Sequence, residues 1–153
     1  METRIIKDDL CLHGFVKMQI GDAIIKDYGT VSATALCLLR TLEKDKIMSD
    51  EQIQMIPCCG NTLIANDDLS EVEIIGCDTG TDWSVIHMGD KVKIVLQSGD
   101  EFFIPISEYK SEVFKFADKV ETFYKQSKPR QIEGEFDENG YTAFWNEFKR
   151  RKM

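Results

Sequence analysis

Four side chains able to bind a soft metal, or to act as nucleophile and base, fall within one stretch of the chain: Cys58, Cys59, Cys77 and His87. Zinc takes four such donors in a tetrahedron, and structural sites space paired cysteines by two to four residues so that both thiolates converge. Cys58 and Cys59 are adjacent, so their side chains diverge, and Cys77 and His87 have to complete the set from a distance. Cys11 and His13 form a further Cys-x-His pair. The other chemistry open to these residues is nucleophilic: a thiolate of Cys58 or Cys59 at a bend beside Gly60, with His13 or His87 as its base. Neighbouring acids oppose this, because they raise a thiol pKa.

Those acids are the strongest feature of the sequence. Between Ile47 and Asp90 there is no Lys or Arg, but there are nine acids: Asp50, Glu51, Asp67, Asp68, Glu71, Glu73, Asp78, Asp82 and Asp90. The net charge is -8, so the other residues carry 18 acids against 19 bases and sum to +1. The expectation is an outer face built from Asp67, Asp68, Glu71, Glu73, Asp78 and Asp82, with Trp83 beside it, that meets a basic protein. Complementary charge speeds encounter and rejects wrong partners. A small non-catalytic binding module follows, with an immunity or inhibitor protein that neutralises a basic enzyme such as a nuclease toxin as its concrete form. The alternative is a cysteine-dependent or zinc-binding enzyme or site built on Cys58, Cys59, Cys77 and His87. No cofactor is expected.

Asp78-Thr79-Gly80 resembles the three-residue signature of aspartic proteases, where one carboxylate shares a proton with a second. Here Gly76-Cys77 precedes it in place of an apolar pair, and no second copy exists. Ordinary turn chemistry accounts for Asp78, Gly80 and Asp82. The chain has no glycine-rich phosphate loop, no His-Glu-x-x-His and no Gly-x-Ser-x-Gly elbow.

The bulk properties bound the rest. A chain of 153 residues, 42% apolar and 30% charged, is expected to form one domain with a sizeable core. The acids near the N-terminus interrupt any signal-like apolar segment, and no run approaches the roughly 20 residues of a membrane span. Five cysteines at irregular spacing suit reduced thiols, so a cytoplasmic location is expected. A charge of -8 repels phosphate backbones and anionic lipid. Lys149-Arg150-Arg151-Lys152 reads as the last turn of a helix, where cations oppose the macrodipole.

The elements that position these residues are those of an α+β domain. Residues 12–25 read as a hairpin around Gly21-Asp22, and Gly29 to Ser32 as a loop ending in a Ser32 cap. A buried helix follows, with Ala33, Leu36, Leu39 and Leu42 inward and Cys37 as a small core residue. Thr62 to Ala65 predicts a short strand before the turn at Asn66-Asp67-Asp68. Alternation from Glu71 to Ile106, broken by Gly89 and Gly99, predicts an antiparallel β-meander. It is packed against a long amphipathic helix from Ser107, whose Tyr109, Val113, Phe116, Ala117, Val120, Phe123 and Tyr124 form one stripe. A C-terminal aromatic helix, capped at Asp137 or Asn139, carries Tyr141, Phe144, Trp145 and Phe148.

Overall fold

The computed structural model describes residues 3–4, 13–49, 52–58, 62–76, 79–126 and 134–153. The first regular unit is a hairpin with a short added edge. β1 (Thr3–Arg4) pairs with the start of β2 (His13–Ile20), and β2 pairs antiparallel with β3 (Ala23–Thr30) along its full length. Gly21 turns the hairpin at φ +55°, a left-handed conformation that costs glycine little because it has no Cβ.

The expected loop and Ser32 cap are absent. Gly29 and Thr30 stay paired with Gly14 and His13, and α1 (Val31–Arg40) begins at once, with Ser32 buried in its first turn. The cause is packing from elsewhere. β4 (Ile56–Pro57) lies so close to β3 that a Cβ on Gly29 would stand 2.3 Å from the Pro57 carbonyl oxygen, which holds this stretch extended.

α1 is apolar nearly all round, the pattern of a helix enclosed on every side. Ala33, Ala35, Leu36 and Leu39 are fully buried, and each buried leucine contributes about 1.5–3 kcal/mol. Its neighbours are β2, β4, α2 (Ile106–Gln126) and α3 (Gly134–Arg151). It is therefore the hub between the helices, and not one of two helices laid over a single sheet.

The fold is mixed α+β, and its strands pair antiparallel. The expected sheet from about 71 to 106 divides, however. β5 (Thr62–Ala65) pairs with β6 (Val72–Ile75) in a sheet of two strands, and β7 (Gly80–Thr81) pairs with β4. Only β8 (Trp83–Met88), β9 (Lys91–Leu96) and β10 (Glu101–Pro105) form the meander. Within it Val85, Ile94 and Phe102 are in register, as are His87, Val92 and Ile104. The inner face is Trp83, Val85, Val92, Ile94 and Leu96, all buried.

α2 buries Tyr109, Val113, Ala117 and Val120 toward α1, β9 and β10, on the stripe that four-three spacing requires. α3 starts at Gly134, so Asp137 and Asn139 lie inside the helix and do not cap it. It crosses β5 at Gly140, where a Cβ would stand 2.2 Å from the Leu63 carbonyl oxygen. Its aromatic side turns inward, with Phe144 and Phe148 buried and the Trp145 ring 4.5 Å from that of Tyr124 on α2. No helix among the described residues is long and apolar enough to cross a membrane.

Candidate functional site

The β5–β6 hairpin carries the exposed acids, and its turn is tied by side chains. Asn66 Oδ1 accepts from the Ser70 N–H (2.9 Å) and the Glu71 N–H (3.1 Å), while Asn66 N–H donates to the Glu71 carbonyl (3.0 Å). Asp68 Oδ1 accepts from the Ser70 hydroxyl (2.5 Å) and the Ser70 N–H (3.2 Å). These bonds, the Ser70 hydroxyl first, hold the Asp68 carboxyl below its usual range. From α3, Asn146 Nδ2 donates to the Leu69 carbonyl at 2.9 Å. Leu69 itself has φ +59°, a left-handed conformation that costs a branched-chain residue roughly 1–2 kcal/mol and persists because its surroundings over-determine it. Its side chain is half-buried against the core, which supplies that constraint.

Asp67, Asp68 and Glu73 are exposed on this hairpin and form no ion pair among the described residues. Glu71 is different: Arg150 reaches it at 3.2 Å and Arg151 at 3.6 Å. Asp82 and Trp83 do not belong to the outer face at all. Asp82 is buried, and its Oδ1 accepts from Lys46 Nζ (2.6 Å), the Trp83 N–H (2.9 Å) and the Met55 N–H (3.0 Å). It staples two loops to the start of β8. Trp83 is only 1% exposed and packs on the inner face of the meander. Asp78 lies outside the described residues.

The cysteine and histidine candidates separate. Cys58 is disulfide-bonded, which withdraws its sulfur from both thiolate ligation and nucleophilic attack and departs from the expectation of reduced thiols. Cys59 and Cys77 lie outside the described residues. His87 is half-buried on β8, where its Nε2 donates to the Thr41 carbonyl at 2.7 Å and its backbone N–H to Asp45 Oδ1 at 2.8 Å. Thr79 Oγ1 stands 2.8 Å from Cys58 Sγ before β7, so Cys58 and His87 sit near opposite ends of the β7–β8 segment. No group of three or more His, Cys, Asp or Glu among the described residues could hold a metal ion. Cys37 is buried and free, and burial pushes its thiol up, as suits a core residue.

One polar assembly among the described residues was invisible in the sequence. Glu147 of α3 is fully buried and accepts from Arg40 Nε (2.7 Å) and Nη2 (2.9 Å), Arg151 Nε (2.8 Å) and the Val72 N–H (2.9 Å). Burial would raise its carboxyl, but the hydrogen bond and charge of Arg40, then Val72 and Arg151, outweigh this and hold it low. A carboxylate held ionised in this way is a poor general acid near neutral pH. Its work is to tie α1, α3 and β6 together, which also presents the hairpin. Arg40 and Glu147 are 107 positions apart, so no local pattern could link them.

Arg150, Arg151 and Lys152 of the basic run at the end of α3 are likewise spent in ion pairs. Arg151 pairs with Glu43 at 2.7 Å, and Lys152 with Glu121 at 3.0 Å and with Asp118. No family model, curated protein or solved structure matches the chain.

Proposed function

We propose that this protein is a non-catalytic binding module that presents the β5–β6 hairpin to a basic protein partner, in the manner of an inhibitor or immunity protein set against a basic enzyme. The observation that carries this reading is the turn at residues 66–71. Asp67 and Asp68 stand outward on a backbone already fixed by Asn66, Ser70 and Asn146, so little conformational freedom is lost when a partner docks. Ile75, 47% exposed on the outer face of the same hairpin, adds apolar area beside Glu73. A single exposed ion pair contributes only about 0–1 kcal/mol, so the charges act mainly on encounter rate and partner choice. Shape and apolar contact around Ile75 supply the remainder.

The test is affinity capture with crosslinking from the cells that make the protein, at about 0.1 M and about 1 M salt, where the screening length falls from roughly 10 Å to 3 Å. A basic partner is expected to be held at the lower salt, to crosslink within residues 62–75, and to be lost from the variant Asp67→Lys/Asp68→Lys. The same partner held equally well by that variant counts decisively against the reading.

A further inference from the structure

We infer that the solvent face of the β2–β3 hairpin is a docking surface for a second copy of this chain, whose β5–β6 hairpin it receives. The strand register puts Phe15 opposite Tyr28, Lys17 opposite Lys26 and Gln19 opposite Ile24. These six side chains share one face, because residues two apart on a strand point the same way. Packing decides which face it is: Val16 and Ile20, on the other side of β2, are buried in the core, while Phe15 is 48% and Ile24 53% exposed. Like charges directly opposite each other on a hairpin repel and destabilise it. Neither Lys17 nor Lys26 forms an ion pair among the described residues, and Asp27 lies on the opposite face, accepting from Thr81 Oγ1 at 2.7 Å. Two uncompensated cations therefore stand beside exposed apolar area, on a face that carries no acid.

The chain itself carries the counterpart. On β6, Glu73 and Ile75 alternate with buried Val72 and Ile74, so they share the outer face of the β5–β6 hairpin, with Asp67 at its turn. Asp67 and Glu73 form no ion pair among the described residues, and Ile75 is 47% exposed. Two unpaired acids and an exposed isoleucine on one two-stranded ribbon thus match two unpaired lysines, Phe15 and Ile24 on another. Docking relieves the repulsion between Lys17 and Lys26 and covers apolar area on both sides. A single-stranded nucleic acid is the poorer match, since two cations neutralise little of a phosphate backbone and Ile24 offers bases no stacking surface. Because the two surfaces differ, the contact is heterologous, and each copy brings one of each. This inference rests on the reading that the β5–β6 hairpin docks to a basic surface. It adds that a basic partner has to displace a second copy from that hairpin.

The test is sedimentation equilibrium of the purified chain at about 0.1 M salt, where screening over roughly 10 Å limits the mutual repulsion of two acidic chains. The average mass is expected to rise above that of one chain as concentration increases. Lys17→Glu/Lys26→Glu and Asp67→Lys/Glu73→Lys should each weaken association about tenfold or more, because like charges then meet across the contact. Both variants change exposed side chains only, and a melting curve like that of the parent shows that they fold. Mixed in equal amounts, the two should associate again, since the first keeps its acidic hairpin and the second its lysines. A single-chain mass at every concentration overturns the proposal and leaves the docking reading to its own test, the capture of a basic partner. Association retained by both variants overturns it too, as does a mixture that stays monomeric. Retention of a labelled oligothymidylate by a monomeric chain, lost in Lys17→Glu/Lys26→Glu, gives the face to an anionic polymer and likewise overturns it.

Discussion

Glu147→Ala is expected to destabilise the fold by about 3–5 kcal/mol, the range for breaking a buried ion pair by removing one partner. The loss falls unevenly. Arg151, 5% exposed at its side chain, keeps Glu43 at 2.7 Å and Glu71 at 3.6 Å. Arg40 loses both bonds to the carboxylate and, among the described residues, keeps only the Val72 carbonyl, while the Val72 N–H loses its acceptor. An orphaned buried N–H alone costs about 1–3 kcal/mol, and this overlaps with the ion-pair figure because one carboxylate serves both. At about 2–4 °C per kcal/mol for a chain of this size, the melting temperature should fall by roughly 6–20 °C. Circular dichroism melts at neutral pH measure it. The double variant Arg40→Met/Glu147→Leu should retain more stability than Glu147→Ala, since it leaves no uncompensated guanidinium at Arg40. A fall of under about 2 °C, corresponding to less than roughly 1 kcal/mol, would refute the central place given to this network.

The same residue fixes the acid limb of the stability curve. Its folded-state pKa is held below the ordinary value of 4.5, so its contribution is complete above that value and is lost as pH falls through the folded one. Glu147→Gln should flatten the decline of melting temperature below pH 4.5; a parallel decline in both proteins contradicts the assignment.

Gly140→Ala reverses the usual sign for a helix interior: propensity favours alanine by about 1 kcal/mol, but the clash with the Leu63 carbonyl should cost about 1–3 kcal/mol net, and a raised melting temperature would contradict it. Cys58 should resist alkylation in unfolded protein until reductant is added, and Cys58→Ser should lower stability by about 2–4 kcal/mol; ready labelling without reductant rules the bridge out. Asn66→Ala removes the acceptor for two turn N–H groups, so amide exchange at Ser70 and Glu71 should accelerate at a stability cost of about 0.5–1.5 kcal/mol, and unchanged exchange tells against a tied turn.

What the sequence revealed of the fold depended on how far each signal had to reach. The stripe on α2 and the alternation of β9 and β10 are repeated local patterns, and Gly89 and Gly99, both at positive φ, mark the meander's turns within two residues of its strands. The pairing of β6 with β5 could not be read this way. Alternation at Glu71 to Ile75 reports that one face is buried, not which strand lies alongside. The choice involves α3, which settles across β5 at Gly140 from far along the chain. The start of α1 was hidden for the same reason: Ser32 is a good cap by type, yet β4, from further along the chain, packs on Gly29 and keeps the preceding residues extended.

The acidic site shows the limit of counting charges along a window. Asp68 and Asp82 are the same residue type in the same run, but one is exposed on a turn and the other is buried on an ammonium. The run looked uncompensated partly because it began one residue after Lys46, the counter-ion of Asp82. It also ended long before Arg150 and Arg151, which reach back to Glu71. Once those pairs are assigned, the outward charge left on the β5–β6 hairpin is that of Asp67, Asp68 and Glu73. Reversing Asp67 therefore probes the surface field without touching the bonds that hold the fold, whereas reversing Asp68 also removes an acceptor of Ser70 in the turn. Reversing Asp82 would bury a cation against Lys46 and report on folding instead.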